Sequence, residues 1–136
     1  MRIAVIDGQG GGIGKAIVEK LKKELSPDIE ILALGTNALA TSAMLRAGAD
    51  EGATGENAVI VNAPRVDLIA GVIGIVSANS MLGELTPAIA RAVSESPAQK
   101  LLLPLNRCGI EIIGTAKNTP LPQLIDALVS AVRERI

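Results

Sequence analysis

RIAVIDGQGGGIGKAIVEKLKKEL, residues 2–25, sets an apolar run, five glycines in seven residues and an amphipathic run in direct succession. Residues 3–6 are wholly apolar and end at Asp7, the pattern of a strand buried on both faces. After the glycines, Ala16, Ile17, Leu21 and Leu25 recur at helical spacing, with Glu19, Lys20, Lys22, Lys23 and Glu24 on the other side. Ser26-Pro27 stops that helix, because proline disfavours a helical residue before it. Strand, glycine turn and helix in this order open a β-α alternation.

The alternation continues outward. EILALG (30–35) predicts a second buried strand, and NALATSAMLRAG (37–48) a helix with Gly48 just past its end. VIV (59–61) has strand character, yet only the five residues NAPRV separate it from the clear strand DLIAGVI (67–73). A parallel crossover needs a dozen or more residues. Either the two pair as an antiparallel hairpin, or 56–63 is a short helix and the third strand lies near 50–53. The second option keeps the alternation regular and is preferred. Thr86-Pro87 reads as an N-cap followed by proline at the first helical position of PAIARAVSES. KLLLPLN (100–106) and IEIIG (110–114) read as strands, and PLPQLIDALVSAVRERI as a final amphipathic helix with Leu124, Leu128 and Val132 on one stripe. No linker, repeat or low-complexity segment interrupts the 136 residues. The expectation is one α/β domain over 1–136, a Rossmann-like doubly wound, mostly parallel sheet with helices on both faces.

Composition narrows the chemistry. Hydrophobic residues make up 49% of the chain, and 13 basic against 14 acidic side chains leave a net charge of -1. Nothing there favours a nucleic acid or an anionic membrane. No apolar run nears the ~20 residues that span a bilayer, and Asp7 and the glycines come too early for a signal peptide. A cytoplasmic protein is expected, and a single cysteine, Cys108, excludes an internal disulfide. His, Tyr, Trp and Phe are all absent. Within one chain that removes imidazole bases, tyrosine acids, Ser–His and Cys–His pairs, the usual zinc sites and aromatic platforms for single-stranded nucleic acid. Catalytic residues stay unassigned and no metal is expected. Glu84, Asp50 and Glu51 offer carboxylates that solvated loop charges explain equally well.

Gly8, Gln9, Gly10, Gly11, Gly12, Ile13 and Gly14 form the candidate site, because backbone N–H groups and a helix start can face an anion that side chains would keep away. A tight turn alone is the competing explanation. GxxxxGK[ST] fits at Gly14-Lys15 but fails at Gln9 and at Ala16. GxGxxG from Gly8 reaches Ile13, and from Gly10 reaches Lys15. GxxxGIG is met by Gly8, Gly12, Ile13 and Gly14, followed by KAI. Over the first 20 to 25 residues this resembles the cofactor loop of the short-chain dehydrogenase/reductase superfamily, with Asp7 where that superfamily has threonine. The resemblance implies a dinucleotide, NAD or NADP, whose diphosphate lies on 8–14. That superfamily's Tyr-x-x-x-Lys pair has no counterpart here, so its usual catalysis is not implied.

Past the second strand, Thr36 and Asn37 stand where an acid would select NAD or an arginine NADP, and they choose neither. Ligands in such sheets sit outside the carboxyl ends of the strands. That edge adds Asn79, near Ser77 and Ser80, and Arg107, after Asn106, as further binding candidates, though turn and capping roles also suit them. From DGQGGGIGK through ALGTN and ATSAMLRAGADEGATGEN to PLNRCGIEIIG, the chain is similar to a family of short bacterial proteins known only as a domain of unknown function. The expected function is a small nucleotide-binding protein, NAD(P) first, acting as a sensor or regulatory module. The alternatives are an NAD(P)-dependent oxidoreductase, with Lys15, Cys108 or Asp7 as the nearby proton donors, and a binder of another phosphate-bearing metabolite. The apolar GVIGIVSANSML segment offers a face for a homo-oligomer, or else a buried strand and helix start.

Overall fold

A computed structural model describes residues 1–105 and 108–136, so Asn106 and Arg107 lie outside the described residues. Five strands form one sheet: β1 (Arg2–Asp7), β2 (Glu30–Gly35), β3 (Glu51–Thr54), β4 (Leu68–Val72) and β5 (Gln99–Leu103). Every pairing is parallel and the order is β3-β2-β1-β4-β5. The helices are α1 (Gly12–Glu24), α2 (Ala38–Arg46), α3 (Glu56–Asn62), α4 (Pro87–Glu95) and α5 (Leu121–Arg133). α1 packs against α2 and α5, while α3 and α4 pack on each other. Right-handed crossovers in this order put those two groups on opposite faces, so the sheet is doubly wound and Rossmann-like, as its alternation predicts.

The central strand and its neighbour explain the apolar runs. Ile3, Ala4, Val5 and Ile6 on β1 and Ile31, Leu32, Ala33 and Leu34 on β2 are all buried, as helices on both faces require. α1 covers β1 with Ile17, Val18 and Leu21, α2 packs on β2, and α5 buries Ile125, Leu128, Val129 and Val132 where it packs on α1 and β5. Asn37 caps α2 by accepting from the Ala40 N–H at 2.9 Å, and Thr86 caps α4 by accepting from Ile89 at 3.2 Å.

The ambiguous stretch resolves as β3 followed by α3, with no hairpin between 59–61 and β4. The IEIIG strand is not formed. β5 ends before Pro104, Gly109 and Gly114 take left-handed φ of 73° and 93°, and Ile113 is 87% exposed. With turns on either side and no face of 110–114 buried against the sheet, strand-like composition is not enough. GVIGIVSANSML takes the buried-strand reading in its first part: β4 runs into a 3₁₀ turn at Ile73–Val76, and Gly71, Val72, Gly74, Ile75 and Ser80 are buried within the protein. A buried strand end explains the start of that run; only short 3₁₀ turns follow it before α4 begins at Pro87.

Candidate functional site

The chain leaves β1 for α1 on one side of the sheet, and leaves β4 towards α4 on the other. The strand order reverses between β1 and β4, which opens a crevice beyond their carboxyl ends. A cavity of about 280 Å³ lies there, with Ile13, Val72, Met81, Leu82 and Leu105 as apolar walls. Asp7, Gln9, Ser80 and the half-buried Cys108 supply its polar edges.

The floor of the loop is built by Asp7. Its buried carboxylate accepts from the Gly8 N–H at 2.8 Å and the Gly14 N–H at 2.7 Å, tying the end of β1 to the first turn of α1. The Gly11 N–H closes a turn onto the Gly8 carbonyl at 2.9 Å. The geometry turns this carboxylate under the loop, where it holds the loop's backbone amides. Among the described residues the N–H groups of Gly10, Gly12 and Ile13 have no hydrogen-bond partner, and Gly10 and Gly12 are exposed.

The five glycines fall into two kinds. Cβ atoms on Gly8 and Gly14 would lie 2.5 Å from Thr36 Oγ1 and 2.8 Å from Asp7 Cβ. Gly11 has φ 72°, and its Cβ would meet the Ala40 backbone at 2.7 Å. These three satisfy the packing of the loop. Gly10 and Gly12 do not: their φ values are ordinary, and a Cβ on either meets nothing within 4 Å. The fold does not require glycine at those two positions, which carry exposed amides at the start of a helix.

On the β2 side the structure brings in a residue that the sequence pattern did not single out for this role. Glu84 Oε1 accepts from the Gln9 N–H at 2.9 Å, Thr36 Oγ1 at 2.8 Å and Asn37 Nδ2 at 2.7 Å. The Gln9 amide first, then Asn37 and Thr36, hold the Glu84 carboxyl below its ordinary pKa. Asn37 Nδ2 also donates to the Gln9 carbonyl at 3.0 Å. Thr36 and Asn37 therefore stand beside the loop, as expected, but their donors are engaged by Glu84.

Glu84 arrives on the segment between β4 and α4. Asn79, Met81 and Leu82 there are left-handed, with φ of 66°, 56° and 56°, and Leu82 is 97% exposed. Ser80 anchors the segment by donating to the Gly74 carbonyl at 2.6 Å. Asn79 is exposed and is not among the residues lining the cavity. Lys15 is exposed on α1. Asp50 and Glu51 stand at the start of β3, the opposite edge of the sheet, where Asp50 accepts from the Ile31 N–H and pairs with Lys22, and Glu51 pairs with Arg2. They cannot share an ion with Glu84. No helix among the described residues is long and apolar enough to cross a membrane.

The chain belongs to the family described as domain of unknown function DUF3842, matched over residues 2–136. No match is found among curated proteins. Among solved structures it is similar to a dodecameric FMN-dependent UbiX-like decarboxylase from Escherichia coli O157:H7. The TM-score is 0.52 at 15% identity, covering 99% of this chain and 94% of that one. AibC matches with TM-score 0.48 and 16% identity over 93% of this chain and 34% of its own. A putative alcohol dehydrogenase from Thermotoga maritima gives 0.41 and 16% over 93% and 36%. The first of these likenesses shows a shared α/β fold.

Proposed function

We propose that this member of the DUF3842 family is a single nucleotide-binding domain over residues 1–136, acting as a sensor or regulatory module. The ligand's phosphate would meet the N–H groups of Gly10, Gly12 and Ile13, and its apolar part would enter the crevice between β1 and β4. The observation that carries this reading is that Gly10 and Gly12 are glycine where a Cβ would touch no part of the protein. Close approach of a ligand explains what packing does not. The cavity fits the role, being mostly apolar with a few polar groups at its edge.

NAD or NADP is the second reading, favoured by the GxxxGIG spacing of Gly8, Gly12, Ile13 and Gly14. A dinucleotide would also reach the end of β2, where Glu84 now holds the donors of Thr36 and Asn37. For an oxidoreductase, Asp7 and Cys108 line the cavity, but the Asp7 carboxylate is already committed to two loop amides. Binding without turnover is the simpler assignment.

A thermal-shift panel of AMP, ATP, FMN, NAD and NADP tests the reading. A ligand at 100 times its dissociation constant adds about 2.7 kcal/mol of stability. At least one of the five should raise the melting temperature of the wild type and fail to raise that of Gly12→Asp. No shift from any of them would return the glycines to a purely structural role.

A further inference from the structure

The segment between β4 and α4 crosses the end of β1 and fastens on the end of β2. One oxygen, Glu84 Oε1, takes three donors from two strand ends: Gln9 beyond β1, and Thr36 and Asn37 beyond β2. Asn37 has nothing left to offer, since its Oδ1 caps α2 and its Nδ2 serves both Glu84 and the Gln9 carbonyl. Met81 adds bulk beside the carboxylate, its Sδ only 2.8 Å from where a Cβ on Gly8 would lie. On the β4 side of the same loop the wall is apolar and the cavity is open. Among the described residues the two halves of the crevice thus differ in chemistry: the β2 side is bonded to the Glu84 carboxylate, and the β4 side is mostly apolar with Asp7 at its edge.

In a sheet of this order a dinucleotide lies across the crevice, with one ribose at the end of the second strand. That is the ground Glu84 covers. We propose that Glu84 determines the size of the ligand by closing the β2 side, so that the site takes a mononucleotide and rejects a dinucleotide. The inference rests on the nucleotide reading above and deepens it. Two physical effects combine. A dinucleotide must break three hydrogen bonds to a charged acceptor, each stronger than a neutral one. It must also bring its second phosphate towards a carboxylate, and like charges at close range repel. A mononucleotide whose phosphate meets Gly10, Gly12 and Ile13 and whose base lies between β1 and β4 does neither.

Isothermal titration of the wild type, Glu84→Ala and Glu84→Gln with AMP, FMN and NAD tests this. The wild type should bind a mononucleotide and bind NAD weakly. In Glu84→Ala the affinity for NAD relative to that mononucleotide should rise roughly tenfold or more, the scale of one hydrogen bond to a charged group. Glu84→Gln keeps the length and one acceptor oxygen but loses the charge. It should show a smaller rise in the same direction, and it keeps the test alive if the alanine variant fails to fold. Equal wild-type affinity for NAD and mononucleotide would overturn the inference and leave the nucleotide reading standing. So would an unchanged ratio in both variants. Binding of AMP or FMN only after Glu84 is replaced would contradict size selection and make Glu84 a block on the whole site. No binding to any form of the protein would remove the nucleotide reading, and the inference with it.

Discussion

Two loops meet over the crevice, and they reach left-handed backbone with different shares of glycine. The loop between β1 and α1 puts glycine at its tightest point, Gly11 with φ 72° beside the Ala40 backbone. The segment between β4 and α4 forces Asn79, Met81 and Leu82 into similar angles and uses glycine only at Gly83. In the first loop Gln9, with φ 49°, is the one left-handed residue that carries a side chain. The second carries more strain, roughly 1–2 kcal/mol at each of Met81 and Leu82, and is held by the Ser80 and Glu84 hydrogen bonds. Strain of that sort gathers where a loop carries a function. Here it delivers Glu84 to the glycine loop and Met81 and Leu82 to the cavity wall.

The largest effects should come from breaking the glycine loop. Gly11→Ala adds left-handed strain and drives a methyl into the Ala40 backbone, so it should cost about 3 kcal/mol by urea unfolding. Asp7→Asn removes the charged acceptor shared by Gly8 and Gly14 and presents an amide hydrogen to one of them. Its cost should be about 2 kcal/mol in the same measurement. The strained loop should answer in the other direction. Leu82→Gly loses almost no buried surface, since Leu82 is 97% exposed, and should stabilise by roughly 1 kcal/mol. Gly12→Ala sharpens the contrast between the two kinds of loop glycine. It should leave the ligand-free protein unchanged or up to about 1 kcal/mol more stable, while weakening nucleotide binding in the thermal-shift panel.

The smallest effect is in acid. The carboxyls of Glu84 and Asp50 titrate lower in the folded chain than in the unfolded one, held chiefly by the Gln9 and Ile31 amides. The unfolded chain therefore binds protons first as pH falls. Their contribution to stability is complete above the ordinary carboxylate range and is lost below it, as pH drops through the folded values. Melting temperature followed against pH should fall less steeply in acid for Glu84→Gln than for the wild type. The part due to Asp50, at the far edge of the sheet, should remain.

The contrast between the loops also explains what the sequence could tell. The fold was legible because its signals are local: an apolar run before Asp7, glycines, then helical periodicity, and an alternation that the spacing of 56–66 keeps regular. Residues 110–114 misled because β-branched composition speaks only of fitness for a sheet, and the turns at Gly109 and Gly114 leave them no buried face. Half of the candidate site was legible for the same reason, since glycines before a helix announce themselves. The other half was not. Glu84 lies 75 residues from its partner Gln9 and 48 from Thr36. Nothing in SANSMLGE states that its backbone will turn left-handed and reach across β1. Only Asn79 and Gly83 hint at a turn, and a hydrogen bond between distant loops leaves no periodic trace.

The most direct test of the site is an amide NMR titration of this 13.9 kDa chain with AMP and with FMN. If either ligand binds as argued, the signals of Gly10, Gly12 and Ile13 should move first and furthest, followed by Val72, Met81 and Leu105 around the cavity. The amides of Gly8 and Gly14, bonded to Asp7, should move less. Unmoved signals at Gly10, Gly12 and Ile13 under saturating amounts of both, or shifts confined to another face of the protein, would contradict the account.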